Sequence, residues 1–305
     1  MAINKHSSAI LRMMLFGVLL LYGCQGQGGF RFVFMTDIHL QPELGAEKGF
    51  ETAIQKVNSL KPDFVITGGD LIMDALGQTF ERANQLYTLY LNACKGFNMP
   101  VYNTIGNHEI FGLYQRSGID ESHPLFGKMM YRNYFGKDKT FDSFNHKGWH
   151  FVILDAVSLT SEREYIGQID QMQLQWLKED LEKLNSSIPI VVSLHIPLVS
   201  VYRQMRDGAT AAFQESSVVT NSKEVLEAFK GYNLKIVLQG HLHVLEEIVW
   251  QDIHFITAGA VSGAWWKGPR EGFSEGFVVV NIKGNDFTWN YETFGWKAMN
   301  QGEAN

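Results

Sequence analysis

From Phe30 onward, short apolar runs alternate with stretches in which apolar residues recur every three or four positions. Phe30–Met35 is too continuously apolar for a half-exposed strand and reads as a strand covered on both faces. The pattern then predicts a helix from about Ala46 to Leu60, broken by Lys61-Pro62-Asp63, a strand over Phe64–Thr67, a helix near Thr79–Lys95 and a strand over Pro100–Ile105. After a long loop rich in aromatics, Thr140–Phe144 and Trp149–Leu154 read as a hairpin, Gln168–Leu184 as an amphipathic helix and Ile188–Leu194 as a strand. A loop of roughly twenty residues precedes a helix near Asn221–Lys230, and strand Leu234–Gln239 follows. Short strands dominate the remainder: Val244–Trp250, His254–Ala258, Glu275–Asn281 and Phe287–Glu292. Alternation of this kind, with no repeat and no linker after Gly29, predicts one α/β domain.

The polar residues at strand ends add chemistry to that outline. Five strand-to-loop junctions carry Asp37 with His39, Asp70, Asn107 with His108, His195, and His241 with His243. Ligands of open α/β sheets gather outside the carboxyl ends of strands, so residues far apart in sequence can converge there. Two carboxylates, one amide oxygen and four imidazoles suffice for two metal ions with one carboxylate shared. Such donors suit Mn, Fe or Zn better than Ca, and the lack of thiolates argues against a structural zinc site. His195 alone would read as a structural histidine; its position at a strand end makes it a ligand candidate. Glu109 reads equally as an orienting group for this cluster and as a helix cap. Cys94 reads as part of a helix packing face beside Leu91, Ala93 and Phe97. His6, His123, His146, His150 and His254 read as surface or packing residues.

Composition narrows the partners. The 305 residues are 45% apolar and carry a formal charge of −6, which lacks the clustered positive field that nucleic-acid binding requires. No nucleic-acid partner is expected.

Asp37-Ile-His39, Gly69-Asp70, Gly106-Asn107-His108-Glu109, His195 and Gly240-His241-Leu-His243 resemble, in order, the signature of the calcineurin-like metallophosphoesterases. The resemblance extends from about Phe30 to Phe294 and implies a four-layer α/β/β/α sandwich with a two-metal centre. Carried over position by position, Asp37, His39 and His243 would hold the first ion, Asn107, His195 and His241 the second, and Asp70 would bridge them. The implied reaction is hydrolysis of a phosphate ester by a metal-bound hydroxide, with His108 as the general acid at the leaving oxygen.

Departures from better-known members refine this expectation. Purple acid phosphatases place a metal-ligating tyrosine three residues after the bridging aspartate, where this chain has Met73. Protein phosphatases have an aspartate there, followed by an arginine clamp; here Asp74 stands one position later and is followed by Ala75. A phosphomonoester dianion gains most from a bidentate arginine, so the reading favours a phosphodiesterase. The alternatives are a phosphomonoesterase and, from a different class, a non-catalytic binding scaffold on the same fold. The substrate is expected to be a small phosphate ester: a cyclic nucleotide, a glycerophosphodiester or a phospholipid head group. Trp265 and Trp266 could cover such a ligand or simply pack, and the loop after His195, with Tyr202, Arg203, Arg206 and Phe213, reads as a lid or as a tolerated insertion.

The N-terminal segment reads as an address. Lys5 and Arg12 precede the ten-residue apolar run Met13–Tyr22, too short to span a hydrocarbon core about 30 Å thick but suited to a signal peptide. Leu21-Tyr22-Gly23-Cys24 resembles the bacterial lipobox. The expected organisation is a signal peptide over 1–23, a linker over 24–29 and the phosphoesterase domain over 30–305, in an exported periplasmic or cell-envelope lipoprotein whose only membrane attachment is its N-terminal lipid. An uncleaved anchor and an ordinary cleaved signal with a structural Cys24 are the other readings of the segment.

Overall fold

The computed structural model describes residues 28–299. The expected signal peptide, Cys24 and the first four linker positions lie outside the described residues, among which no helix is long and apolar enough to cross a membrane.

The chain opens with β1 (Phe30–Met35), α1 (Ala46–Leu60), β2 (Phe64–Thr67), α2 (Phe80–Cys94) and β3 (Val101–Asn103). Then come α3 (Met129–Phe135), β4 (Asp142–His146), β5 (Trp149–Ile153), β6 (Val157–Leu159), β7 (Tyr165–Gly167), α4 (Gln171–Leu181) and β8 (Pro189–Ser193). The last elements are α5 (Tyr202–Asp207), α6 (Ser222–Ala228), β9 (Asn233–Gln239), β10 (Glu246–Trp250), β11 (Ile253–Thr257), β12 (Gly276–Lys283) and β13 (Asp286–Thr293).

Two sheets organise this mixed α/β fold. One has the order β13-β12-β1-β2-β3, the other β10-β11-β9-β8-β5-β4, and β6 with β7 forms a separate hairpin. Strands β1, β2 and β3 run parallel, as do β5, β8, β9 and β11. Alternate residues of β1 serve different cores. Phe30, Phe32 and Phe34 join Phe64, Trp149, Phe151, Val191 and Ile236 in a cluster drawn from both sheets. Phe32 stacks on Phe64 at 5.2 Å, and Phe151 meets both edge-on. Val33 and Met35 instead belong to the cluster that contains Phe50, Ala53 and Val57 of α1 and Leu86, Tyr87 and Tyr90 of α2. Apart from half-buried Arg31, burial on both faces explains why β1 shows no polar alternation.

Helices α1 and α2 follow their apolar periodicity, and Thr79 caps α2 by accepting from the Arg82 N–H. The helix expected over 168–184 is shorter: Asp170 caps α4, while Ile169 is held by the Asn221 side chain. The expected strand 140–144 is displaced to 142–146, and the one over 100–105 shortens to three residues. Helices α3 and α5 and the β6–β7 hairpin occupy segments read as loop or unassigned, since runs of three to seven residues are too short for a period to emerge.

Candidate metal centre

Parallel strands bring their carboxyl ends to one edge of each sheet, and the loops there are bonded to one another. The Asp37 N–H donates to Gly69, that of His39 to Asp70 and that of Leu40 to Leu71, which extends the β1–β2 pairing past the strands. Gly240 N–H donates to the His195 carbonyl, and Val261 N–H donates to Thr36, joining the two sheets. Asp37, His39, Asp70, His241 and His243 all have left-handed backbones, with φ between 46° and 71°. Such strain, roughly 1–3 kcal/mol per residue, persists only where surroundings enforce it and collects at functional sites.

Glycine is required where these loops touch. A Cβ on Gly106 would lie 2.3 Å from the Asp70 N and Oδ1 atoms, and one on Gly240 would lie 2.0 Å from Thr36 Oγ1. Close approach therefore exposes backbone donors to the carboxylates: His108 N–H donates to Asp70 Oδ1 at 2.9 Å, and His241 N–H donates to Asp37 Oδ2 at 3.0 Å. Thr36 Oγ1 donates to the same Asp37 oxygen at 2.8 Å.

All eight site residues expected from the sequence converge here, and seven of them, all but Asn107, fall into three overlapping groups whose donor atoms lie within 4.8 Å of one another: Asp37, His39 and His243; His39, Asp70 and His108; Asp70, His195 and His241. In the first group, His243 Nε2 is 3.0 Å from His39 Nε2 and 3.2 Å from Asp37 Oδ1. In the last, His195 Nε2 is 3.1 Å from Asp70 Oδ2, 3.2 Å from Asn107 Oδ1 and 3.2 Å from His241 Nδ1. The outward nitrogens are committed elsewhere: His243 Nδ1 donates to the Gly263 carbonyl at 2.7 Å and His195 Nδ1 to the Gly68 carbonyl at 2.8 Å. Carbonyls only accept, so these Nδ1 atoms carry the proton and a neutral ring turns its Nε2 lone pair inward. Lone pairs and carboxylate oxygens facing one another at 3 Å repel unless a cation lies among them. The donor set therefore fits metal ions.

Charge responds accordingly when only protons are available. Burial alone would lower the His195 imidazole, but the Asp70 charge pushes it up to about 9. Burial and then the neighbouring His195 push His241 down to about 4, while burial and then His108 hold His39 well below its ordinary value. Against the upward pull of burial, His243 holds the Asp37 carboxyl below the usual range and His195 does the same for Asp70. A proton on His195 occupies the lone pair that a metal ion would take.

Several supporting contacts were not evident from the sequence. His108 Nδ1 hydrogen-bonds to the main-chain carbonyl of Met73, while its Nε2 lies 3.8 Å from Asp70 Oδ2. Asp74 instead accepts from Leu76 N–H and Gln78 Nε2, as part of its own turn. Fully buried Glu109 accepts from the N–H groups of Gly106, Asp70, Leu71 and Ile72 at 2.7–3.2 Å, fixing the Asp70 loop. Burial, then the Asp70 charge, push its carboxyl up to about 7. Glu109→Ala would leave four buried donors without a partner and is expected to destabilise the metal-free protein by about 3 kcal/mol; an unchanged urea midpoint would remove this role.

The two tryptophans part ways. Trp266 is buried and its Nε1 donates to the Ile38 and His39 carbonyls, whereas Trp265 lies 4.7 Å from the His243 ring and 5.9 Å from that of His39. Away from the centre, His146 pairs with Asp63, His150 with Asp180 and His254 with Glu247. Burial pushes the partly buried Cys94 thiol up to about 12, which disfavours the reactive thiolate.

The calcineurin-like phosphoesterase family model matches residues 30–245, which contain all eight converging residues. The chain belongs to that family. A protein of Xenorhabdus bovienii named "Probable cyclic nucleotide phosphodiesterase" is 22% identical over 268 residues, 83% of this chain and 95% of that protein. A 3',5'-cyclic adenosine monophosphate phosphodiesterase of Haemophilus influenzae is 26% identical over 236 residues, 74% of each chain. Among solved structures, a dimetal phosphatase from Danio rerio shares the fold with a TM-score of 0.61 at 15% identity, covering 86% of this chain and 95% of that one. This calcineurin-like phosphoesterase is a metal-dependent phosphoric ester hydrolase, and its His and Asp groups are those that could bind the metal.

Proposed function

We propose that this phosphoesterase hydrolyses small phosphodiesters, cyclic nucleotides first among them, at a centre of two ions. The observation that carries the reading is that Ala75 follows Asp74 where a protein phosphatase has its clamping arginine, and that Asp74 is itself bonded within its own turn to Leu76 N–H and Gln78 Nε2. A site without that clamp suits the single negative charge of a diester better than a monoester dianion. The two relatives named as cyclic nucleotide phosphodiesterases support the same choice.

In this reading Asp37, His39 and His243 hold one ion, Asn107, His195 and His241 the other, and Asp70 serves both. The donors suit Mn, Fe or Zn. When bound, the ions supply positive charge for the phosphoryl oxygens and make water more acidic. The chain itself orients the imidazoles through the Gly68 and Gly263 carbonyls and holds His108 by its Nδ1 proton on Met73. That bond leaves His108 Nε2 to deliver a proton to the departing oxygen.

Matched aryl monoester and diester phosphates, tested on one metal-loaded preparation, decide the reading. A higher kcat/KM is expected for the diester. A monoester preference of tenfold or more, about 1.4 kcal/mol in transition-state terms, would replace it with a phosphomonoesterase, and absence of both activities with metal bound would favour the scaffold.

A further inference from the structure

Trp265 and Trp266 both sit at left-handed φ, 53° and 67°, a strained arrangement for two bulky residues in succession. Its consequence is a division of labour. Trp266 is anchored in the core against Trp296, with its Nε1 on two carbonyls of the β1 loop, and Trp265 is thereby held beside His39 and His243. A tight turn, closed by reciprocal backbone bonds between Arg270 and Phe273, accompanies an Arg270 guanidinium 4.9 Å over the Trp265 ring.

Arg270 is a cation without an anionic partner. Among the described residues it makes no salt bridge and no side-chain hydrogen bond, and its Nε is buried and unpartnered. The adjacent Glu271 carboxylate is taken by the Tyr202 hydroxyl at 2.7 Å, which braces this loop against α5. Arginines of other loops are engaged: Arg203 and Arg206 pair with Asp207, and Arg163 donates to the carbonyls of Gly112, Leu113 and Ile119.

We infer that Arg270, laid on Trp265, is the specificity determinant of this site and donates to a hydrogen-bond acceptor on the nucleobase of a phosphodiester substrate. The inference rests on the diester reading above and chooses among its substrates. A buried donor left unsatisfied is costly, and an acceptor arriving with the substrate removes that cost. A planar guanidinium suits the acceptor edge of a base. A choline head group would instead bring a second cation to an aromatic face already holding one, where like charges repel.

The test compares wild type, Arg270→Gln and Arg270→Lys, all metal-loaded, on 3',5'-cyclic AMP, glycerophosphocholine and bis(4-nitrophenyl) phosphate. Calorimetric binding of adenosine 5'-monophosphate provides a readout independent of turnover. For Arg270→Gln, KM for cyclic AMP and Kd for the monophosphate should each rise about tenfold, the scale of one charged hydrogen bond. Its kcat and its constants for the aryl diester should stay within about threefold, and Arg270→Lys should fall between. Glycerophosphocholine should be the poorest wild-type substrate and should gain on loss of the charge. Equal losses on all three substrates, or none, would overturn the assignment while leaving the diester reading intact. An Arg270-dependent Kd in a protein that hydrolyses no diester would reject the diester reading and leave Arg270 only a contact to the nucleotide, overturning its role in a diester substrate.

Discussion

Asp70→Asn is expected to lower kcat/KM on a phosphodiester by at least about a thousandfold, the scale of metal-assisted charge stabilisation, and to reduce bound metal from about two ions per chain to less than one. The reason is geometric. One oxygen, Asp70 Oδ2, lies 3.1 Å from His195 Nε2 and 3.7 Å from His39 Nε2, so a single carboxylate faces both donor groups. An amide there removes a negative charge and can turn an N–H toward the site. Elemental analysis of the purified variant, with rates measured on the same sample, provides the check; two retained ions and a rate within tenfold of wild type would refute a shared ligand. The carboxylate also affects the metal-free protein. Burial would raise it, but His195 holds it well below its ordinary 3.8. Its contribution to stability is therefore present above that value and lost as the pH falls through its folded value.

His108→Ala should leave metal content unchanged and slow esters with poor leaving groups by about 10²- to 10⁴-fold, the range of general-acid terms. Esters with activated aryl leaving groups need no proton and should lose far less. The separation follows from where the ring is held: Nδ1 is tied to the Met73 carbonyl, and Nε2 stands 3.8 Å from Asp70 Oδ2 at the edge of the metal groups. Rates for a series of diesters spanning leaving-group acidity measure it directly. A loss of equal size across the series would assign His108 to substrate positioning, and a loss of metal would make it a ligand.

The order of Asp37, His39, Asp70, Asn107, His108, His195, His241 and His243 along the chain was enough to nominate the site, because each follows a run that reads as a strand. Parallel strands then have to deliver their carboxyl ends to one edge, and the eight residues do meet there. The departures at Met73 and Asp74 were equally visible as letters. Their consequence was not: Met73 contributes a main-chain carbonyl, which every residue possesses, so nothing in its side chain announces the bond to His108.

The sequence by itself therefore determined the strand-end chemistry and the mixed α/β fold, since hydrophobic runs and donor types are local properties read residue by residue. Tertiary structure alone decided which groups orient those donors. The carbonyls of Gly68 and Gly263, the four N–H groups on Glu109 and the pairing of Trp265 with Arg270 join positions through loops at left-handed backbone angles. Such contacts depend on how two sheets abut and on which loop passes close to which, and backbone donors and acceptors are the same at every residue. The opposite fates of neighbouring Trp265 and Trp266 have this origin: one side chain fills the core and the other reaches the site because a strained turn separates them.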